Sequence, residues 1–195
     1  MKTLLLAAGR SRRVKPIEDK NFLKFAGRTL LEHQLDTLKR VGLTDIVIVG
    51  GAHNLKKLKE LAQPYNAEVV EQKNLDEGMA GAVLTVEKLL KNDETLLVVS
   101  SNDILAQSAF EGMLKAQESS ADAYLLAREV SEYFPGGYLK VEKNRITEIV
   151  EKPEPGSEPS NLVNIVVHAF KKPATLFAAL KKADTQRDDH YETAQ

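Results

Sequence analysis

Apolar residues follow two different rhythms along this chain. Runs at residues 3–8, 45–49, 67–70, 95–100 and 121–127 are short and nearly unbroken, the pattern of strands buried on both faces. Between them, residues 29–41, 55–63, 80–90 and 108–118 carry apolar side chains three and four positions apart, which gives a helix one apolar face. Parallel strands need such crossovers, so the alternation predicts an α/β fold with a mostly parallel mixed sheet flanked by helices. After about Arg128 the helical spacing stops. Residues 137–142, 145–151 and 162–170 read as further strands separated by turns, which predicts a partly antiparallel second half. Residues 152–160 hold three prolines and little to bury, so they read as a surface loop rather than an interdomain linker, since strand-like sequence resumes at once. A helix is expected over 173–182, with Pro173 in its first turn.

Composition narrows the function classes. A chain of 195 residues suits one domain, with residues 1–128 and 129–195 as its two halves. Lys and Arg total 27 against 28 Asp and Glu, a formal charge of -1, which argues against a dominant nucleic-acid or anionic-membrane surface. There is no Cys, hence no disulfide and no thiolate metal ligand, which fits a cytoplasmic setting. The first residues hold too few apolar positions before Arg10 for a signal peptide, and no stretch is long enough to span a bilayer. His33, His53, His168 and His190 lack metal-ligand spacing. Asp188, Asp189, His190 and Glu192 read as the start of another helix, which suggests a chain that continues beyond Gln195.

Candidate chemistry begins where the first buried strand runs into Ala7, Ala8, Gly9 and Arg10. Small residues and backbone N–H groups at a sharp turn suit an anion, and Arg12, Arg13 and Lys20 add cations that could offset a triphosphate. The loop lacks G-x-G-x-x-G and the Walker A pattern, which demotes dinucleotide-binding and P-loop readings. Read more widely, the string Leu6-Ala7-Ala8-Gly9-Arg10-Ser11-Arg12-Arg13, then Pro16, Lys20, Leu23, Gly27 and Leu30-Leu31, resembles the signature of the sugar-phosphate nucleotidyltransferases, L-A-A-G-x-G-T-R followed by P-K-x-L and G-x-P-L-L. The resemblance implies that Leu6, Ala7, Ala8, Gly9 and Arg10 wrap the nucleotide. Arg13 would then hold the triphosphate and Lys20 would contact phosphates at the reaction centre. Ser11 stands at the family's second glycine, Arg12 at its threonine and Asp19 at the proline before the lysine. Those departures also bring to mind the molybdenum-cofactor guanylyltransferases, which share the fold.

Three later constellations extend the resemblance. Gln72 ends a strand ahead of Gly78, and the family has a glutamine here that pairs with uracil or thymine; an amide offers both donor and acceptor. Asp103 follows a buried strand at the carboxyl edge where open α/β sheets bind ligands, and it matches the aspartate of the family's G-D pair, which implies a Mg²⁺ ligand. Glu151, Lys152 and Pro153 match an E-K-P segment, Asn164 matches the asparagine of N-A-G, and Gly137 matches the glycine of a Y-G loop. Together they imply a substrate site that includes Asn164, where Glu151 takes sugar hydroxyls, Lys152 takes the sugar phosphate and Gly137 lets the backbone approach. Valine replaces the glycine of N-A-G at position 166, and His168 falls where a tyrosine or another large residue is common.

The expectation is therefore a nucleotide-diphospho-sugar transferase (GT-A-like) fold. It would join a nucleoside monophosphate from UTP or dTTP to a sugar 1-phosphate with Mg²⁺ and release pyrophosphate. A homo-oligomer is left open. A cytidylyltransferase acting on choline phosphate, a non-catalytic nucleotide-sugar sensor and an assembly subunit are the rival readings.

Overall fold

The computed structural model describes residues 1–11, 16–91 and 94–182. In chain order its elements are β1 (Lys2–Leu6), a small hairpin of β2 (Lys24–Phe25) and β3 (Arg28–Thr29), α1 (Leu30–Arg40), β4 (Ile46–Gly50), α2 (Leu55–Ala62), β5 (Glu68–Glu71), α3 (Gly78–Leu84), β6 (Leu96–Ser100), α4 (Gln107–Ala116), β7 (Ala123–Glu129), β8 (Gly137–Glu142), β9 (Arg145–Glu151), β10 (Leu162–Phe170) and α5 (Pro173–Lys182). Among the described residues no helix is long and apolar enough to cross a membrane.

One sheet of eight strands organises the molecule. β5, β4, β1 and β6 lie side by side and parallel, as the strand-helix alternation predicted. β10 then enters antiparallel to β6 and divides the sheet: β7 pairs along one edge, while the other edge is shared between β6 and β8. β9 closes the order as the antiparallel partner of β8. Every pairing of β10 is antiparallel, so β7 and β8 run with β6, and all eight strands except β9 and β10 point the same way.

Helices cover both faces because each central strand is apolar on both sides. Leu5, Ile46, Ile48, Leu97 and Val99 are almost wholly buried against Leu31, Leu35 and Leu38 of α1, Leu58 of α2 and Phe110 of α4. Their alternates Leu4, Val47, Val49, Leu96 and Val98 pack on Ala80, Ala82 and Val83 of α3 and Leu176, Phe177 and Leu180 of α5. This is the period-two consequence of a strand inside a three-layer fold.

Element ends follow local chemistry. α1 starts at its predicted place because Thr29 and Glu32 form a capping box: Thr29 Oγ1 accepts the Glu32 N–H at 3.1 Å and Glu32 Oε2 accepts the Thr29 N–H at 2.7 Å. α3 is shorter than the expected 80–90 and gives way to a 3-10 turn at Glu87–Leu89. There the Thr85 hydroxyl at 2.8 Å and the Thr85 N–H at 3.1 Å both donate to the Gly81 carbonyl, closing the last turn. α4 begins at Gln107 with Ala106 at its cap, so Asp103 lies in the turn before it and caps nothing.

Candidate active site

The carboxyl ends of β1 and β6 lie side by side, with Leu6 opposite Ser100, and the expected phosphate loop leaves from that edge. Ala7 continues toward β4 by donating its N–H to the Val49 carbonyl at 2.8 Å. Its own carbonyl accepts from Asn54 Nδ2 at 2.9 Å and from Asn21 Nδ2 at 3.1 Å. Asn54 Nδ2 also donates to Asp19 Oδ2 at 2.7 Å, while Asn54 Oδ1 accepts the Gly51 N–H at 3.0 Å. All the donors of one buried amide are thus engaged, and they tie the β1 loop, the β4 loop and the segment carrying Lys20 together. Asn54 stands at the cap position of α2 but makes no capping bond, because its side chain serves this junction instead.

Two of the departures from the family signature explain themselves here. Ser11 has φ 50°, the left-handed region that favours glycine, and its Oγ accepts the Lys20 N–H at 3.1 Å. Asp19, in the proline's place, caps the 3-10 turn Lys20–Phe22 by accepting the Asn21 N–H at 2.9 Å and also accepts from Asn54. Lys20 is held from both sides through its backbone. Ser101 Oγ lies within hydrogen-bond distance of the Leu6 carbonyl and of Asn21 Oδ1, which locks the Lys20 turn to the end of β6. Arg13, the expected triphosphate ligand, and the acidic residues 188–192 lie outside the described residues.

Gln72 is 4% exposed, and its amide nitrogen donates to the Asn74 and Gly78 carbonyls, both at 2.9 Å. It therefore braces the loop between β5 and α3, and an edge-on contact with a base would fall to Oε1. Gly81 lies directly beneath: a Cβ there would stand 2.8 Å from Gln72 Nε2 and 2.7 Å from Glu77 Oε2. Gly78 itself has φ 55° and is exposed. Arg10 reaches across to Asp76 at 3.0 Å, so the phosphate loop and the 72–78 loop touch.

Asp103 is partly exposed just past β6, after Asn102, whose Oδ1 accepts from the Ser100 hydroxyl at 3.0 Å. Among the described residues no three His, Cys, Asp or Glu side chains group as a metal cage. One accessible carboxylate at this edge fits Mg²⁺, which keeps several waters and takes one or two carboxylates plus substrate phosphates.

The four residues expected to hold a sugar phosphate are brought together by β8, β9 and β10. Gly137 pairs with Glu151 in the β8–β9 ladder. A Cβ on Gly137 would stand 3.0 Å from Glu151 Oε2 and 3.8 Å from Asn164 Cβ, so the bare backbone borders both side chains. Glu151 Oε2 is buried with no hydrogen-bond partner, and Oε1 pairs with Lys152 Nζ at 3.0 Å. Lys152 has φ 45°, a strained conformation for a lysine, fixed by its N–H donating to the Gly136 carbonyl at 3.1 Å. Asn164 Oδ1 meets Nε2 of His168 at 2.9 Å. His168 is fully buried, and that burial pushes its pKa down to about 4, so the ring is neutral near pH 7.

Register links this cradle to the phosphate loop. Val167 of β10 sits opposite Val99 of β6 and the strands run in opposite directions. Advancing from Val99 toward Asp103 therefore means retreating along β10 toward Asn164, so both clusters occupy one edge of the sheet. Asn21, Asn54, Ser101 and His168 support these groups and carry no motif. In the sequence His168 reads only as one more large residue in an apolar strand.

The fold recurs in other proteins. A family model described as nucleotidyl transferase matches residues 2–195. A bifunctional sugar-1-phosphate nucleotidylyltransferase/acetyltransferase of Sulfurisphaera tokodaii is 28% identical over 190 residues, 93% of this chain and 43% of the relative. A mannose-1-phosphate guanyltransferase of Pichia angusta is 30% identical over 169 residues, 78% of this chain and 45% of the relative. The chain thus spans less than half the length of these curated relatives. Among solved structures, UDP-glucose pyrophosphorylase complexed with UDP-glucose superposes with a TM-score of 0.81 at 22% identity, over 99% of this chain and 84% of that one, a likeness of fold. With the family model covering residues 2–195 and the signature loop at the carboxyl end of β1, the chain belongs to the nucleotidyl transferase family.

Proposed function

We propose that this chain transfers a nucleoside monophosphate from UTP or dTTP to a sugar 1-phosphate, with residues 1–128 holding the nucleotide and residues 129–195 the acceptor. The observation that carries this reading is the buried, unpartnered Glu151 Oε2 beside Gly137 and Asn164, on the sheet edge that also bears Lys20 and Asp103. A buried carboxylate oxygen without a donor is costly, and a ligand hydroxyl would satisfy it.

In the proposed step an anionic oxygen of the sugar 1-phosphate attacks the α-phosphorus. A new P–O bond forms, the bond to the bridging oxygen breaks, and pyrophosphate leaves with the electron pair. The nucleophile is already charged, so no general base is needed, and positioning with charge neutralisation dominates. Lys20 and Arg13 offset the phosphates, and Lys152 holds the acceptor's phosphate. Mg²⁺ held by Asp103 and the phosphates would supply further neutralisation. Gln72 would select the base: its free oxygen can accept the N3 imide proton of uracil or thymine, which cytosine lacks.

The test is a pyrophosphate-release panel with Mg²⁺, crossing UTP, dTTP, CTP, GTP and ATP with glucose 1-phosphate, mannose 1-phosphate and phosphocholine. Turnover should need UTP or dTTP together with a hexose 1-phosphate. A preference for GTP would contradict the base assignment, and CTP with phosphocholine would contradict the acceptor. Nucleotide-sugar binding with no release under any pairing would make the chain a sensor.

A further inference from the structure

Asn164 and His168 are four residues apart on one strand, a spacing that normally separates side chains by about 13 Å. Here they touch at 2.9 Å. The cause is an irregularity in β10: Ile165 pairs with Leu126 of β7 and His168 pairs with the next residue, Leu125, so Val166 and Val167 are extra on the β10 side. Measured along β7, Asn164 faces Ala127 and His168 faces Leu125, two positions apart. They consequently share a face at roughly 7 Å between backbones, within reach of a side-chain bond.

The ring cannot turn away. It is fully buried in the paired core of the sheet, with Val98 of β6 on one flank and Leu125 of β7 on the other. Phe170 meets it edge-on with centroids 6.4 Å apart, and it also hydrogen-bonds the backbone of Ile165.

We infer that His168 is a positioning residue for the acceptor: its ring fixes the Asn164 side chain beside the unpartnered Glu151 oxygen. One half of the Asn164 amide is engaged by the ring, and the other half is left for a ligand. A carboxylate that accepts beside an amide matches a hydroxyl, which donates to the first and can bond either half of the second. The acceptor class that fits is a polyhydroxylated phosphate, and an acceptor such as phosphocholine, with no hydroxyl, leaves both groups unpaired. This rests on the reading of Glu151 and Asn164 as the sugar site, and it adds a residue behind that site which touches no substrate.

The experiment compares His168→Phe, which keeps a ring and deletes the bond, with His168→Gln, which keeps a donor, and with Glu151→Gln, in the full chain. KM for glucose 1-phosphate and for UTP is measured in each. His168→Phe should raise KM for the sugar phosphate on the order of 10-fold with KM for UTP within about 2-fold, and His168→Gln should recover part of the loss. If Glu151→Gln raises the sugar-phosphate KM while His168→Phe changes neither, the positioning role is overturned and the site stands. Should neither variant move it, the site itself is wrong. The wild-type chain offers a check free of folding defects. Its His168 ring ¹⁵N shifts should change when glucose 1-phosphate saturates the chain and stay in place with UTP alone, and a ring that responds to neither would overturn the inference.

Discussion

Asn54 ties together the loops proposed to hold the nucleotide, and its three hydrogen bonds set the scale of what its loss would do. In Asn54→Ala the Ala7 carbonyl, Asp19 Oδ2 and the Gly51 N–H lose a partner in a buried setting, a cost of roughly 2–4 kcal/mol. Urea unfolding should show that drop, and turnover should fall with it because the Lys20 turn is no longer tied to β1. Unchanged stability would mean that the junction is not the buried network described. His168 gives a pH signature. Its folded pKa lies below the ordinary 6.5, so between about 4 and 6.5 the unfolded chain binds the extra proton and stability falls as pH falls. The wild type should lose roughly 3 kcal/mol from this group between pH 7 and 4. His168→Gln should show a flatter profile over the same window, and identical profiles would contradict a buried neutral ring. Ser11 shows what a signature can and cannot reveal: its place at a glycine position is visible in the sequence, but the bond from Oγ to Lys20 that compensates its left-handed backbone depends on a residue nine positions away.

Among the elements, α3 and the loop before it carry a separate test. Gly81 has no room for a Cβ, which would press on Gln72 Nε2 and Glu77. Gly81→Ala should push the 72–78 loop outward and raise KM for the NTP several-fold while leaving KM for the sugar phosphate unchanged; a rise in both would mean that the loop serves both substrates. The central parallel strands and α1 were legible because their signals are local: alternation of apolar runs, and Thr29 with Glu32 three residues on. The early end of α3 was not, since residues 80–90 keep helical spacing past Leu84 and the apolar pattern does not mark the change to a 3-10 turn. The double role of β10, shared between β6 and β8, was also beyond reach, because pairing partners and the extra residues Val166 and Val167 are set by tertiary contacts rather than by the strand's own pattern.

At the scale of the whole molecule, the sheet assembles two clusters distant in sequence at one edge, and the account stands on their division of labour. Family resemblance indicated both clusters by their motifs, yet it was the pairing of Gly137 with Glu151 and the antiparallel register of β10 with β6 that brought them to a common edge. The measurement that tests this most directly is a crossed kinetic titration of Lys152→Ala and Lys20→Ala, each substrate varied with the other saturating. Lys152→Ala should raise KM for the sugar phosphate at least about 10-fold and leave KM for the NTP nearly unchanged, since on the proposed reading its charge holds the acceptor's phosphate. Lys20→Ala should lower kcat by on the order of 10² or more, as loss of a charge-stabilising donor at the reacting phosphate does. Equal effects of Lys152→Ala on both KM values, or an effect on the NTP alone, would contradict the division of the site.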